Sequence, residues 1–316
     1  MLYIGVDIGG MSVKAGLVNE KGEILFKSSA VTRATAPQEE IVADIAELVR
    51  QVVREGGVTF SDVAGIGVGS PGSVDDEAGV IRYSCNINFV RTPFVELMRK
   101  ELNVQNVRIS NDANCAALGE TMFGAGRGAR NSVTVTLGTG VGTGIVVDGR
   151  LLTGNRSAGA EGGHVIIKAG GVKCGCGKRG CFEAYASATA LMRQTEEAAR
   201  RHPESLLAKM VAEDGISGKT AFIAAKRGDK TAKRVVSTYI RYVGTGLVGF
   251  ANVFYPEVFI IGGGISKEGD ALILPLRRFV RKNAYGAEFN PPIDVVAATL
   301  GNDAGIIGAA ALAMAK

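Results

Sequence analysis

Two stretches decide the fold: IGVDIGGMSVKAGLV, residues 4–18, and VTLGTGVGTGIVV, residues 135–147. Each has two apolar runs separated by glycines, which predicts two β-strands joined by a glycine-rich turn. Each stretch opens one half of the chain, and strands and helices follow in a similar order in both halves. This internal repeat predicts two similar α/β halves with a cleft between them.

The repeat also suggests where the domains begin and end. We expect a smaller N-terminal α/β domain over residues 1–112, completed by a C-terminal helix over about 302–316. A larger α/β domain then covers residues 113–301. Within them, apolar spacing, proline and glycine predict a turn at Lys21-Gly22 and helices over about 37–54, 187–201 and 229–252.

Composition excludes several classes of protein. The 316 residues are 46% hydrophobic and 21% charged, and a net charge of +5 is spread along the chain without a basic block. We therefore expect no nucleic-acid binding. The residues after Met1 show no signal-peptide pattern, and no apolar run approaches the roughly 20 residues of a membrane span. We therefore expect no secretion, no membrane and a cytoplasmic location.

Three glycine turns follow strand-like runs and predict a nucleotide site. Asp7, Gly9 and Gly10 form a D-x-G-G turn, where backbone N–H groups can face a phosphate and the carboxylate can hold Mg²⁺. The denser run Gly138–Gly144 is neither a Walker A loop nor a Rossmann fingerprint, because no G-K-[ST] follows and a second strand replaces the helix. The third turn, Gly262–Gly264, follows the apolar run VFII.

The segment Asn111–Asn114 lies between a predicted strand and a predicted helix. Asp112 has two interpretations there. It is either the N-cap of the helix or a general base for a substrate hydroxyl, which a phosphoryl transfer requires.

A cysteine-rich stretch predicts a metal site. Cys174, Cys176 and Cys181, with His164 upstream, provide three thiolates and one imidazole, the closed donor set of structural Zn²⁺. Gly175, Gly177 and Gly180 would let the backbone wrap around the ion. Reduced free thiols are the alternative; a catalytic zinc is disfavoured because four protein ligands leave no open position.

Taken together, these motifs resemble the ROK family of sugar kinases and sugar-responsive repressors, in the actin/hexokinase-like (ribonuclease H-like) ATPase superfamily. Within that family the chain resembles the bacterial ATP-dependent glucokinases. The resemblance covers nearly the whole chain, through the motifs DIGG, GSPG, NDAN, TLGTGVGTGIVVDG, EGGH, CGCGKRGC, GGGIS and NDAGIIGAA.

The resemblance implies an ATP-dependent hexose kinase of glycolysis with two α/β domains, Mg²⁺, a structural zinc and a homodimeric assembly. It assigns Asp112 as the catalytic base that takes the proton of the sugar 6-hydroxyl. The sugar contacts it implies are Gly72, Asn86, Asn111, Asp112, Glu161, His164 and Glu183. The nucleotide contacts are Asp7, Gly9, Gly10, Ser12, Gly138, Thr139, Gly140, Gly262, Gly263 and Gly264.

Two positions depart from the family pattern. Met11 stands where a threonine usually follows D-x-G-G, so a hydroxyl is lost unless Ser12 or Thr139 replaces it. The chain also has no Trp, whereas the sugar loop of glucokinases often carries one; in this chain Phe89 follows Asn88.

Several alternatives stay open at this stage. Glucose, N-acetylmannosamine, fructose and allose are all candidate substrates, because single-group differences depend on pocket shape. A sugar-sensing repressor is disfavoured because the first phosphate loop begins within ten residues of Met1, which leaves no room for a helix-turn-helix. An iron–sulfur activator of the same superfamily would lack the EGGH histidine and the NDAN base.

Overall fold

The structure is a computed structural model and describes residues 1–314. The predicted C-terminal helix extends to Lys316, and its last two residues, Ala315 and Lys316, lie outside the described residues. The strands are β1 (Leu2–Ile8), β2 (Ser12–Asn19), β3 (Ile24–Val31), β4 (Val63–Ser70), β5 (Ser73–Asp75), β6 (Val80–Tyr83), β7 (Val90–Thr92), β8 (Val107–Asn111), β9 (Ser132–Leu137), β10 (Val141–Val147), β11 (Arg150–Leu151), β12 (Val258–Gly262) and β13 (Asp294–Ala297).

The structure contains the predicted turn and the three predicted helices, and the bounds of these helices agree with the predicted ones to within two residues. Gly22 adopts a left-handed φ of 79° in the turn between β2 and β3. The helices are α1 (Gln38–Glu55), α2 (Phe94–Leu102), α3 (Asp112–Phe123), α4 (Glu183–Ala186), α5 (Ala188–Arg201), α6 (Leu206–Asp214), α7 (Thr220–Lys226), α8 (Lys230–Phe254), α9 (Asp270–Asn283) and α10 (Ala304–Met314).

The internal repeat is visible in the order of the strands. One five-stranded sheet has the order β3-β2-β1-β4-β8, and a second has the order β11-β10-β9-β12-β13. In the first sheet β1 pairs antiparallel with β2 and parallel with β4, and in the second β9 pairs parallel with β12. Each half therefore begins with three consecutive strands and adds two parallel ones. A separate antiparallel sheet has the order β5-β6-β7.

Contacts divide the chain into two compact units. The first unit contains residues 1–130, 144–160 and the chain from Thr299 onward; the second contains residues 131–143 and 161–298. The boundary predicted from the sequence lies at Asp112, whereas α3 clusters with the first unit because it packs along α10.

In the first unit, α10 lies directly on the sheet and on α3, backbone against backbone. A Cβ atom at Gly67 of β4 would lie 1.7 Å from the carbonyl oxygen of Ala309, and one at Gly5 of β1 would lie 1.9 Å from that of Ile306. A Cβ at Gly308 of α10 would lie 1.7 Å from the carbonyl oxygen of Cys115 in α3. These glycines are required because no side chain fits between the elements.

The opposite face of the same sheet is covered by α1. Its apolar residues recur every three or four positions and bury one stripe, which includes Ile41, Ile45 and Leu48, in the same apolar cluster as Ile4 and Val68 of the sheet. Among residues 1–314, no helix is both long and apolar enough to cross a membrane.

We predict that Gly308→Ala destabilises the protein although alanine is the better helix former. Its methyl group must push α10 away from α3, and overpacking of this kind costs about 1–3 kcal/mol or more in the free energy of unfolding. The matched control is Gly249→Ala, at an exposed helical position of α8 where a Cβ has no neighbour within 4 Å. The control should gain roughly 0.5–1 kcal/mol. Differential scanning calorimetry checks both; a Gly308→Ala midpoint at or above wild type contradicts the packing account.

Candidate active site and metal centre

In the first unit, the D-x-G-G turn is held by Thr32, which the sequence analysis missed. The Thr32 hydroxyl donates to the Gly9 carbonyl at 2.6 Å, and the Thr32 N–H donates to the Met11 carbonyl at 3.1 Å. The Gly9 N–H donates to the Ser12 carbonyl at 3.0 Å. These bonds close the turn and leave the Met11 side chain 88% exposed. Thr32 comes directly after β3, and no local sequence signal connects it with the turn.

Asp7 lies on β1 just before this turn and is half-buried. A Cβ at Gly305, in the closing NDAG motif, would lie 2.5 Å from the Asp7 carboxyl carbon, so the glycine makes room for the carboxylate. Burial raises the pKa of Asp7, and the nearby Lys14 partly offsets that rise. A half-buried carboxylate with space beside it fits the hard oxygen donor that Mg²⁺ requires.

The structure decides which residue caps α3. The Asn111 side chain accepts a hydrogen bond from the Ala113 N–H at 2.9 Å, and Asn111 is the N-cap. The interpretation of Asp112 as the N-cap is therefore wrong, because Asp112 is already the first residue of the helix. The Asn111 side chain also donates to the Gly72 carbonyl at 3.1 Å, which ties the cap to the GSPG loop.

Asp112 opens the first turn of α3 and is half-buried. Burial raises the pKa of its carboxyl group, and the negative charge of Asp7 raises it further, whereas the Ala113 N–H lowers it. A carboxylate whose pKa moves toward neutrality is a stronger general base than an exposed aspartate. The predicted base and the predicted Mg²⁺ ligand thus affect each other electrostatically.

Two further predicted sugar residues lie in this unit. Gly72 has a φ of 98°, and a Cβ there would lie 2.2 Å from the Tyr83 carbonyl oxygen, so the GSPG loop packs against the loop that carries Asn86. A Cβ at Gly10 would lie 3.5 Å from the Asn86 Cβ, so the loop that carries Asn86 lies beside the D-x-G-G turn.

The first unit also contains a buried carboxylate that the sequence analysis missed. Glu120 of α3 is 2% exposed and accepts hydrogen bonds from the Leu300 N–H at 2.7 Å, the Thr299 N–H at 3.1 Å and the Ala125 N–H at 3.0 Å. It fixes the segment that leads into α10. Its partners in that segment lie far away in the sequence, so no local pattern predicts the contact.

In the second unit, the glycine-rich run forms a tight hairpin between β9 and β10. The Gly138 N–H donates to the Gly140 carbonyl at 3.0 Å, and the Gly138 carbonyl accepts from the Ala188 N–H at 2.7 Å. Thr139 is exposed, with its carbonyl held by the Thr189 hydroxyl at 2.9 Å. The glycines of this turn thus lie next to the start of α5.

The third glycine turn follows β12, beside the end of β9. Gly262 pairs with Thr136 across the parallel strands. Gly263 has a φ of 81°, and a Cβ there would lie 2.4 Å from the Leu137 carbonyl oxygen. Gly264 has no neighbour within 4 Å of an added Cβ, so its surroundings are open.

Glu183, at the start of α4, connects the hairpin with the cysteine cluster. One carboxylate oxygen accepts the Val141 N–H at 3.0 Å, and the other lies 3.4 Å from the Cys174 sulfur. Glu161 precedes the short helical turn at Gly162–His164, where its carbonyl accepts the His164 N–H at 3.0 Å.

The four predicted metal ligands converge. The donor atoms of His164, Cys174, Cys176 and Cys181 all lie within 4.8 Å of one another. The Cys176 and Cys181 sulfurs are 3.6 Å apart, and His164 Nδ1 is 3.9 Å from the Cys174 sulfur. Bond lengths of about 2.3 Å to sulfur in a tetrahedral zinc site require edges of about 3.8 Å, so the donor set fits Zn²⁺.

Burial raises the pKa of Cys174 to about 12 and also raises that of Cys181, whereas the Lys178 N–H lowers the pKa of Cys176. A bound cation would offset the cost of the buried thiolates. The turn depends on Gly177 and Gly180, each with a φ of 87°. Gly175 has no positive φ and no neighbour within 4 Å of an added Cβ, so its part in wrapping the backbone around an ion stays a prediction.

Comparison of the sequence with known proteins identifies its family and its relatives. The sequence profile of the ROK family matches residues 3–316. The chain belongs to the ROK family. It is 39% identical over 316 residues to a glucokinase of Streptomyces coelicolor, covering 99% of this chain and 97% of that protein. It is 40% identical over 311 residues to a glucokinase of Thermotoga maritima, covering 98% of this chain and 96% of that protein.

A solved structure gives the same result for the fold. The ROK family glucokinase from Streptomyces griseus, in complex with glucose and AMPPNP, superposes with a TM-score of 0.79 at 38% identity, covering 99% of both chains. The prediction of an α/β, two-domain sugar-kinase fold is confirmed. The structure groups the predicted residues by unit: Asp7, Gly9, Gly10, Ser12, Gly72, Asn86, Asn111 and Asp112 in the first, and Gly138, Thr139, Gly140, Glu161, His164, Glu183, Gly262, Gly263, Gly264 and the cysteine cluster in the second.

We predict one zinc ion per chain, held by the cysteine cluster. Cys181→Ser should abolish zinc retention after desalting and lower the thermal midpoint by roughly 5 °C or more, because the loop loses a cross-link. The control is Cys85→Ser, since Cys85 is an exposed thiol outside the cluster and should leave both values unchanged. Elemental analysis by mass spectrometry checks the metal. Iron with labile sulfide, or full zinc content in Cys181→Ser, contradicts the site.

The raised pKa of Asp112 predicts a shifted pH profile. A base acts only when deprotonated, so kcat/KM for the sugar should fall as pH drops through this raised pKa, above the usual value of about 3.9. Removing the Asp7 charge removes one cause of the rise, so Asp7→Asn should move the acid limb of its residual activity to lower pH. Initial rates measured across a range of pH give the acid limb of the wild-type protein and that of Asp7→Asn. An acid limb that is identical in the two proteins contradicts the electrostatic coupling.

Proposed function

We propose that this protein transfers the γ-phosphoryl group of ATP to the 6-hydroxyl of a hexose, with glucose as the substrate. The observation that carries the proposal is the nearly full-length likeness to glucokinases, including a structure in complex with glucose and AMPPNP. The half-buried Asp112 at the start of α3 supplies the base that this reaction needs.

The reaction follows from the roles of the residues. Asp112 accepts the proton of the sugar 6-hydroxyl while that oxygen forms a bond to the γ-phosphorus. The bond between the γ-phosphorus and the β–γ bridging oxygen breaks, ADP leaves with that electron pair, and the proton passes from Asp112 to solvent. Positioning and charge stabilisation supply most of the rate enhancement of such transfers.

The glycine turns and the polar residues position the two substrates. The Gly9–Gly10 turn and the Gly138–Gly144 hairpin would contact the phosphates, and the turn at Gly262–Gly264, where Gly264 has open surroundings, would contact the nucleoside. The proposed sugar contacts are Gly72, Asn86, Asn111, Glu161, His164 and Glu183. Asp7 would hold Mg²⁺, which neutralises phosphate charge when bound. The Ser12 or Thr139 hydroxyl would replace the one missing at Met11.

Zinc would have a structural role in this scheme. His164 supplies Nδ1 to the cysteine cluster, which leaves its other ring nitrogen to contact the sugar. The cytoplasmic location and the homodimer remain predictions from the sequence.

The test is an ADP-release assay with Mg-ATP against glucose, N-acetylmannosamine, fructose and allose. We expect turnover with glucose and a loss of about 10²-fold or more in kcat for Asp112→Ala, since a general base contributes about 10²–10⁴-fold. Asp112→Asn keeps the side-chain volume and should be equally impaired. Absence of turnover with every sugar contradicts the kinase assignment, and full activity of Asp112→Asn contradicts the role of Asp112.

A further inference from the structure

The Glu183 carboxylate occupies the space beside the hairpin that a side chain at position 140 would take. An added Cβ at Gly140 would lie 2.4 Å from Glu183 Oε2, the same oxygen that accepts the Val141 N–H at 3.0 Å. Apart from Gly140 and its two chain neighbours, no described residue brings an atom other than those of the Glu183 carboxyl group within 4 Å of that added Cβ. The glycine and the carboxylate therefore form one arrangement at the tip of the hairpin.

The opposite side of the carboxylate faces the loop of residues 164–181 that carries the cysteine cluster (the metal loop). Glu183 Oε1 lies 3.4 Å from the Cys174 sulfur, and the residue is half-buried at the start of α4. The backbone of α4 continues at once into Ser187 and α5, whose first residue donates its N–H to the Gly138 carbonyl. The hairpin is thus held at both of its sides by one short segment, residues 183–188.

We propose that Glu183 is a positioning residue for nucleotide binding: its carboxylate fixes the Gly138–Gly144 hairpin through the Val141 N–H, and the residue joins the hairpin to the metal loop because it follows Cys181 by only two positions. This role is additional to the sugar contact proposed above, and it rests on the proposal that the hairpin binds ATP. Because the Val141 N–H is fixed, the neighbouring backbone groups of the hairpin keep one orientation before ATP binds. This lowers the entropic cost of binding the phosphates.

A double-mutant cycle between positions 140 and 183 tests the inference. The readout is the dissociation constant of Mg-AMPPNP measured by calorimetry without sugar, so that a sugar contact of Glu183 has no influence. Glu183→Ala removes the bond to Val141 and should weaken binding about tenfold, in the range of hydrogen bonds to charged groups. Glu183→Gln keeps an acceptor oxygen and should recover most of that loss.

Gly140→Ala should act through Glu183. The methyl group displaces the flexible carboxylate and breaks the same bond, so its effect should resemble that of Glu183→Ala. In the double variant the methyl group enters the vacated space, so binding should stay about tenfold weaker than wild type, whereas independent effects would multiply to about a hundredfold.

Gly138→Ala is the control in the same hairpin, because its added Cβ meets only the Gly140 carbonyl oxygen, at 4.0 Å. Whatever its own effect, that effect should multiply with the effect of Glu183→Ala. Zinc content and thermal midpoint are measured for every variant, so that a change in the metal loop is seen directly.

The outcomes separate this inference from the proposed function. Multiplying effects at positions 140 and 183 overturn the inference, as does a lower thermal midpoint of Glu183→Ala with unchanged Mg-AMPPNP affinity. Either result leaves the kinase assignment standing if the wild-type protein turns over sugar. If the wild-type protein binds no Mg-AMPPNP, both the inference and the nucleotide site of the proposed function are wrong.

Discussion

The direct contact of the α10 backbone with the first sheet and with α3 is the constraint on which the first unit depends. Gly67 and Gly308 lie at this contact, where a methyl group would meet a carbonyl oxygen at 1.7 Å. The same approach brings Gly305 against Asp7 and keeps α3, with Asp112 at its start, beside the sheet. Fold stability and the proximity of the two carboxylates therefore have one origin, the absence of side chains at these glycines of α10 and of the facing sheet.

In the second unit, the comparable contact is made by a single side chain, that of Glu183. Glu183 contacts the hairpin on one side and Cys174 on the other. A metal loop that is well separated from the hairpin in sequence thus becomes part of the support of the glycine-rich turn. A structural zinc held by the cysteine cluster would therefore lie close to the proposed nucleotide hairpin, although it would have no open coordination position.

Most of the correct predictions from the sequence come from patterns that extend over only a few residues. Short-range spacing of residues along the chain predicts the hairpins, the helices α1, α5 and α8, and the cysteine cluster. Such spacing does not depend on distant parts of the chain. The cap of α3 was not predictable, because Asn111 and Asp112 are adjacent and both favour that position. The contacts of Thr32 with Gly9 and of Glu120 with Leu300 were missed because these partners lie far away in the sequence, and single hydroxyl and carboxylate groups have no local signature.

The most direct test of the central claim is to identify the product made from glucose and Mg-ATP by two-dimensional ¹H–³¹P nuclear magnetic resonance. We predict a single phosphate ester, on the oxygen at C6, formed in equal amount with ADP. Inorganic phosphate without an ester, or an ester on a different hydroxyl, would contradict the proposed roles of Asp112 and of the residues that position the sugar.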